Sequence, residues 1–229
     1  MPRIGTFELD STTTVIDTRT EFVLGRVRRV TVLTLFLTRF TDRDDFSRTL
    51  DDLEKEVERL DRGETDFSIR TGRMLRGRRR KWVLTRDEDR CTAVARLEVL
   101  GEDRYEYGET ENLASFSITS SPQNLDLTVG GNWNALPILK LTASGNLADP
   151  VFSDGVRTLS CNLSLAAAET LEIDSESRTV TKNGDEDVFP SVTGDFPEPV
   201  PGSTSLVYSD STSGTPSASL EIRWRDRWV

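Results

Sequence analysis

The chain has 229 residues, enough for one large or two small domains with a substantial core. Its 39 acidic residues exceed its 29 basic ones, for a net charge of −10, and this balance argues against a general nucleic-acid-binding protein. The absence of histidine excludes Ser-His-Asp and Cys-His catalysis as well as zinc sites that use histidine.

Targeting signals and cysteine usage narrow the class further. No stretch is long and apolar enough to span a bilayer, and the N-terminal sequence MPRIGTFELD lacks the apolar core of a signal peptide. We therefore expect a soluble protein that is not secreted through a cleaved signal. Cys91 and Cys161 fall in different predicted domains, so we expect two buried free thiols rather than a disulfide.

The basic residues are unevenly divided, since only four of the 29 are lysine. Abundant acid, frequent threonine and scarce lysine are typical of salt-adapted proteins, in which concentrated salt screens mutual repulsion. A GC-rich genome also favours arginine over lysine, although it does not explain the acid excess. Both interpretations stay open at this point.

Residues 1 to 40 are predicted to be β. Short apolar patches occur at residues 7–9, 15–16 and 22–24, and the branched segment VRRVTVLTLFLT runs from Val27 to Thr38. Arg28 and Arg29 interrupt the alternation of this segment, which indicates a β-bulge or an edge position.

One amphipathic helix is predicted over residues 44–62. Phe46, Leu50, Leu53, Val57 and Leu60 recur at steps of four and three, which places them on one face of the helix. Thr41 and Asp44 are candidate N-caps, and Gly63 stands where a C-cap belongs. The opposite face is expected to be solvated, and it carries Asp51, Asp52, Glu54, Glu56 and Glu58.

The rest of the first half returns to β structure. Strands are predicted at residues 80–85 and 91–100, with the polar residues 87–89 as the loop between them. The polar stretch Glu109-Thr-Glu-Asn112 is the predicted domain boundary, which gives an N-terminal β-rich domain at 1–112 and a C-terminal domain at 113–229.

The second half reads as a series of short strands. Turn signals separate candidates at residues 115–119, 125–129, 136–141, 157–165, 170–174, 178–182 and 205–208, with a last strand from 218. Many short strands at this spacing favour a β-sandwich. Alternation along Leu159, Cys161, Leu163 and Leu165 predicts that Asn162 points outward, and we attribute its glycosylation sequon to chance.

Residues 171–208 contain the most distinctive stretch of the chain. It begins L-x-I-D-x-x-x-R-T-V-x-x-N-G from Leu171 to Gly184, in which Asn183-Gly184 predicts a tight hairpin turn, and a Pro-Gly pair then precedes a strand. Gly131-Asn-Trp-Asn-Ala-Leu-Pro-Ile-Leu lies upstream, and Ala218-Ser-Leu-Glu-Ile-Arg-Trp-Arg-Asp-Arg-Trp-Val229 ends the chain. This order resembles the C-terminal half of siphophage distal tail proteins.

The resemblance implies a structural virion protein without catalytic residues, metal or cofactor. In that family an N-terminal β-rich domain with a helix builds a ring, usually of six copies, and a C-terminal galectin-like sandwich projects outward. The implied partners are the tail tube protein, the tail-tip hub protein and the tape-measure protein, with DNA only in transit. The implied location is the virion tail tip after assembly in the host cytoplasm, without membrane insertion. Together with the composition, the resemblance favours a virus of a halophilic archaeon.

A basic cluster suggests a surface for contact between subunits. Three interpretations stay open: the cluster faces a neighbour's acidic helix, lines a channel that passes DNA, or is simply solvated. The candidate interface therefore combines this cluster with the helix acids, as follows: Arg70, Arg73, Arg76, Arg78, Arg79, Arg80 and Lys81 with Asp51, Asp52, Glu54, Glu56 and Glu58.

Other chemistries are weaker candidates. The segment Gly72–Gly77 has the glycine spacing of a phosphate-binding loop, but Arg78 and Arg79 replace the Lys and Ser/Thr that such a loop needs. A carbohydrate-binding module would expose tryptophans such as Trp133 in a groove. A hydrolase with two carboxylates would need an acidic pair across a cleft.

Overall fold

The computed structural model describes residues 3–9, 14–23, 26–38, 40–63 and 66–229. The fold is mainly β with one α-helix among these residues, as predicted. It divides into two compact units, residues 1–109 with Val229 and residues 110–228. No described helix has the length and apolar character needed to cross a bilayer.

The first unit contains nine strands and one helix in its described part. They are β1 (Arg3–Ile4), β2 (Phe7–Glu8), β3 (Thr14–Val23), β4 (Arg26–Leu37), α1 (Arg43–Arg62), β5 (Phe67–Arg70), β6 (Arg73–Leu75), β7 (Gly77–Asp87), β8 (Thr92–Gly101) and β9 (Glu106–Gly108). The long strands form an antiparallel sheet in the order β3-β4-β8-β7, and the short ones pair in the order β2-β1-β5-β6-β9.

The β3–β4 hairpin corrects two sequence-based expectations. Residues 14–23 form one continuous strand rather than two patches, and Leu24 lies outside the described residues. The register with β4 is constant, so no bulge occurs at Arg28–Arg29. Arg29 breaks the apolar pattern because it forms an ion pair with the buried Glu106. The irregular pairing lies instead in β7, between Arg79 and Lys81.

Helix α1 covers one side of the long sheet. The five apolar residues predicted for its inner face are all buried. Leu53 and Val57 pack in one cluster with Leu33 of β4 and Leu97 of β8. This side of the long sheet is called the inner sheet face below, and the opposite side the outer sheet face.

The ends of α1 are capped by local chemistry. The N-cap is Asp42 rather than Thr41 or Asp44, because its carboxylate accepts the N–H of Asp45 at 2.8 Å. Thr41 instead donates to the carboxylate of Asp45 at 3.2 Å. Gly63 is the C-cap, as predicted, with a φ of 73° that favours glycine.

The second unit is almost entirely β. Its strands are β10 (Asn112–Ile118), β11 (Gln123–Val129), β12 (Ile138–Ala143), β13 (Leu147–Ala148), β14 (Val151–Ser153), β15 (Thr158–Cys161), β16 (Ser164–Leu165), β17 (Thr170–Asp174), β18 (Thr179–Lys182), β19 (Glu186–Asp187), β20 (Val192–Gly194), β21 (Gly202–Ser209), β22 (Ala218–Trp224) and β23 (Arg227–Trp228). A 3₁₀ turn spans Phe189–Ser191.

Two sheets of the second unit form the predicted sandwich. Their orders are β10-β22-β12-β17-β18-β19 and β11-β21-β14-β15-β20, with β13-β16 as a separate pair. Their inward-facing residues share one core, which includes Leu139, Leu171 and Leu220 from the first sheet and Leu125, Phe152 and Leu206 from the second. The sheets thus exclude water from a common interior, which is the main source of stability in such a fold.

Most of the turns, strands and buried residues predicted for this unit are observed, with two exceptions. Asn183 and Gly184 have φ values of 53° and 90°, which confirms the predicted hairpin turn between β18 and β19. The strand predicted over 157–165 is divided into β15 and β16, and Asn162 between them is exposed, as predicted. Cys161 is buried as expected, whereas Cys91 is only half-buried because it ends the loop between β7 and β8.

Candidate functional site

Two arginines of the basic cluster approach a buried carboxylate of their own unit. Glu106 of β9 is only 2% exposed, and it lies 3.3 Å from Arg73 and 3.9 Å from Arg70. Arg29 of β4 forms a third ion pair with it. Because a buried carboxylate without partners is strongly unfavourable, these arginines stabilise the first unit itself.

Arg79 and Arg76 also have partners within the first unit. Arg79 is paired across the sheet with Val99 on the inner sheet face, and its guanidinium donates to Asp61 of α1 at 2.7 Å. The guanidinium carbon of Arg76 lies 4.4 Å from the centre of the Tyr107 ring, a cation–π distance. Both contacts tie β7 and its neighbouring loop to the rest of the unit.

Arg80 reaches a different strand. It donates to Glu21 of β3 at 2.6 Å, and Glu21 also accepts from Arg19 at 2.7 Å. The hydrogen bond from Arg19 is the main cause that holds the pKa of Glu21 below its usual range, and the bond from Arg80 adds to it. The two edge strands β3 and β7 are thereby joined by side chains across the outer sheet face.

Three of the five helix acids are engaged inside the chain. Glu54 accepts from Arg86 at 2.7 Å, and Glu58 lies 3.5 Å from Arg62. Glu56 departs from the expected solvated face, because it is 5% exposed and accepts from the Thr6 hydroxyl and from Arg59. Burial raises the pKa of Glu56, but these bonds outweigh burial and leave it lowered.

Four residues of the candidate interface keep no polar partner within the part of the chain that the structure describes. All four are exposed. They are Arg78 and Lys81 on β7, and Asp51 and Asp52 on α1. Among the residues that the structure describes, these four members of the predicted set can contact another chain without giving up an ion pair, hydrogen bond or cation–π contact.

The outer sheet face carries an apolar patch. Cross-strand pairing places Val15, Phe36, Val83 and Val94 on this face, with exposed fractions of 58, 44, 44 and 43%. Phe36 pairs directly with Val94. Val15 and Val83 are their diagonal neighbours on β3 and β7, because each pairs with a residue two positions from Phe36 or Val94. Contiguous exposed apolar residues of this kind mark interaction surfaces.

The residues that carry the family resemblance have a structural role in the second unit. The Oδ1 atom of Asp226 accepts from the Gly130 N–H at 2.9 Å, from Asn112 at 3.1 Å and from the Trp224 indole at 3.2 Å. Arg227 donates to the Asn134 carbonyl at 3.0 Å. These hydrogen bonds hold the Gly-Asn-Trp segment against the C-terminal residues 226–227 of the second unit.

Gly130 and Gly131, at the start of that segment, are required by close approach of the backbone to residues 226 and 227. A Cβ at position 130 would lie 2.3 Å from a carboxylate oxygen of Asp226. A Cβ at position 131 would lie 2.1 Å from the Arg227 carbonyl oxygen, and Gly131 also has a φ of 83°. The two glycines therefore allow the backbone at 130–131 to come this close to Asp226 and Arg227.

The tryptophans do not form an exposed sugar-binding platform. Trp224 is buried, with its indole bonded to Asp226, which counts against the carbohydrate-binding alternative. Trp228 is half-buried, and Trp133 is 40% exposed with its backbone N–H bonded to Arg227. Trp133 is thus a single, partly exposed indole, whereas sugar binding by stacking uses several aromatic rings in a groove.

The second unit has a surface cavity of about 410 Å³, lined by both apolar and polar residues. Glu169 is the acid among its described lining residues, and it accepts from Lys182 at 2.8 Å and from the Ala166 N–H at 2.7 Å. A hydrolase needs two carboxylates facing each other, and this lining offers one. Burial raises the pKa of the Cys161 thiol to about 12, so it is not a nucleophile at neutral pH.

Comparison with known proteins found one matching family model and a similar solved structure. Residues 130–228 match the model of the siphovirus-type tail component, C-terminal domain. No curated protein sequence matched the chain. The crystal structure of the Dit protein of phage SPP1 aligns with 96% of this chain and 90% of its own, with a TM-score of 0.62 and 14% sequence identity. That protein is described as a paradigm of hub adsorption apparatus in phages that infect Gram-positive bacteria. The chain is thus similar to Dit in fold over nearly its whole length, and its C-terminal segment carries the sequence pattern of the siphovirus tail component.

Proposed function

We propose that this chain is a distal tail protein of a tailed virus, which forms a closed ring between the tail tube and the tail-tip hub. The observation that carries the proposal is a double similarity: the fold resembles SPP1 Dit, and residues 130–228 match the siphovirus-type tail component. The ring has six copies, and its channel passes the tape-measure protein and DNA. The protein resides in the virion tail tip after assembly in the host cytoplasm.

The two units divide the work in this proposal. The N-terminal part, residues 1–112, builds the ring, and the sandwich from residue 113 projects outward. The exposed apolar patch of the outer sheet face supports this division, because a repeated heterologous contact needs an unsatisfied surface. The candidate interface narrows to Arg78, Lys81, Asp51 and Asp52, whose charges remain available.

The role is mechanical, and we propose that the chain is not an enzyme. Support comes from the missing histidine and from the engagement of Glu169, the acid among the described lining residues of the second unit's cavity, by Lys182 and the Ala166 N–H. Screening against glycans, peptides and nucleotides is expected to show no turnover. A reproducible rate that one Asp→Asn or Glu→Gln change abolishes would refute this part of the proposal.

We also propose that the protein is adapted to high salt and comes from a virus of a halophilic archaeon. The net charge of −10 and the scarcity of lysine support this origin.

The function is tested by assembly with partners. The purified chain is combined with the tail tube and hub proteins of its virus, and complexes are measured by pull-down and light scattering. We expect co-purification with both partners and a mass of several copies. A chain that stays monomeric and binds neither partner would contradict the proposed function.

A further inference from the structure

The outer sheet face has a cavity at the end opposite to the apolar patch. Its volume is about 450 Å³, and its described lining residues are Arg28, Arg78, Leu100 and Glu102. Arg78 pairs with Leu100 across β7 and β8, and Leu100 pairs with Val30, which lies two residues from Arg28. Because residues two apart on a strand share a face, both arginines project from the same side of the sheet.

These two arginines differ from their neighbours because the described part of the chain offers them no polar partner. Their neighbours Arg29, Arg79 and Arg80 each form an ion pair within the first unit. Arg28 and Arg78 form no hydrogen bond or ion pair among the described residues, and the Nε atom of Arg28 is shielded from solvent. The cavity is thus lined by two guanidinium groups to which the described residues supply no acceptor.

An anionic oxygen group satisfies this chemistry. Guanidinium groups bind carboxylates and phosphates through paired N–H bonds, and two of them flank the cavity. The net charge of −10 and the carboxylate of Glu102, which is among the lining residues, oppose a polyanion such as DNA. A single carboxylate adds only one negative charge at the cavity, and together with Glu102 it balances the two guanidinium groups there.

The chain itself supplies such carboxylates. Asp44, Asp51 and Asp52 of α1 are exposed and have no polar partner within the described part of the chain. Positions seven and eight residues apart lie on the same side of a helix, so the three form one row. They are held by a helix that is buried along its other side and capped at both ends.

We propose that the Arg28–Arg78 cavity receives a carboxylate from the α1 row of a second copy of this chain. The proposal rests on the proposed function, because it identifies one contact through which copies assemble. It adds Arg28, which the sequence-based interface lacked. The same sheet face also carries the patch at Val15, Phe36, Val83 and Val94, so a second copy seated there also shields apolar surface.

Charge reversal on each side tests this contact. The double variant Arg28→Glu/Arg78→Glu and the double variant Asp51→Arg/Asp52→Arg are each expected to weaken self-association at least tenfold in sedimentation velocity. In an equimolar mixture of wild type and one variant, each contact between a wild-type and a variant copy is altered at either the cavity or the helix, but not at both. We expect self-association of the mixture to be weakened as well. The chain that carries all four changes is expected to recover association to within about threefold of wild type, because the charges are again complementary. Arg90→Glu, at an exposed arginine of the β7–β8 loop, is the matched control and is expected to associate normally.

Milder variants guard against loss of folding. Arg28→Gln/Arg78→Gln keeps polar side chains, and circular dichroism checks that each variant is folded. Folded reversal variants that assemble like wild type would overturn the contact while leaving the ring intact. If both reversals weaken association but the chain that carries all four changes does not recover it, the pairing would be overturned.

A separate DNA-binding measurement distinguishes a carboxylate from a phosphate. If wild type binds a labelled DNA duplex in fluorescence anisotropy and the Gln variant does not, the cavity would be assigned to phosphate instead. A wild-type chain that never assembles, even with its tail partners, would contradict the proposed function and this contact together.

Discussion

Asp226 accepts three hydrogen bonds from parts of the second unit that lie far apart in sequence. We expect Asp226→Ala to lower the free energy of unfolding by about 3 kcal/mol, because it leaves partly buried donors without an acceptor. Denaturant unfolding followed by tryptophan fluorescence measures the change. Asp126→Ala, an exposed acid on β11, is the matched control and is expected to cost less than about 0.5 kcal/mol. Equal effects of the two substitutions would contradict the role assigned to Asp226.

Asp154 gives a residue-level prediction about pH. Burial raises its pKa, but N–H donors of Arg157, Glu198 and Val156 outweigh burial and leave the pKa lowered. A carboxyl with a lowered folded pKa contributes stability above its unfolded pKa, and that contribution is lost as the pH falls through the folded pKa. Asp154→Asn should therefore be less stable than wild type at pH 7, and the difference should shrink below about pH 4.

Unfolding of both proteins at several pH values from 2.5 to 7 measures that difference directly. Subtracting the two curves removes the titration of the other acidic residues, which both proteins share. A stability difference that is constant over the whole range would contradict the ionised role of Asp154.

At the level of elements, α1 depends on its N-cap. We expect Asp42→Ala to lower the free energy of unfolding of the first unit by about 1 kcal/mol, because the N–H of Asp45 loses its acceptor. Lys55→Ala, exposed in the middle of the helix, is the control and is expected to have little effect. Thermal melting of both variants checks the prediction, and a greater loss for Lys55→Ala would argue against Asp42 as the cap.

The outer sheet face gives the second prediction at this scale. Phe36→Asp or Val94→Asp is expected to leave the circular dichroism spectrum unchanged, since both side chains are substantially exposed, and to reduce self-association. Leu113→Asp, at an exposed apolar residue of the second unit, is the control. Sedimentation velocity separates the outcomes, and unchanged association of both outer-face variants would show that the patch stays uncovered in the ring.

The sequence predicted elements best where one period dominated. The apolar repeat of α1 placed the helix within one residue of its observed start, and the Asn183-Gly184 turn was predicted from its tolerance of positive φ. The N-cap was missed because Thr41, Asp42 and Asp44 are all good caps, and only the backbone geometry selects one. Strand β3 was divided by its polar middle, whose pairing depends on β4.

The candidate site was harder to predict because its partners are distant in sequence. Arg29 and Glu106 are 77 positions apart, and nothing local indicates that they meet. Most of the basic cluster therefore looked available for an interface although it is engaged inside the chain. In the sequence Arg28 is only an interruption of a strand pattern, because its position beside the cavity depends on the sheet register.

At the scale of the whole molecule, the net charge predicts a dependence on salt. The Debye length is about 30 Å at 0.01 M and about 3 Å at 1 M, so repulsion between copies of charge −10 acts across subunits only in dilute buffer. High salt should therefore favour the assembled state, and dialysis into low salt should loosen the ring before the units unfold. Circular dichroism melting and sedimentation velocity across a potassium chloride series measure both effects. A ring that is most stable in dilute buffer would contradict salt adaptation and leave the tail assignment standing.

The symmetry of the assembled particle distinguishes a ring-forming tail protein from a monomer or a filament. Purified chain, alone and with its tail tube and hub proteins, is imaged by electron microscopy, and class averages give the number of copies and their arrangement. We expect a closed sixfold ring with a central channel, with the sandwich units on its outer rim. Isolated monomers under both conditions, or open filaments without closure, would contradict this expectation.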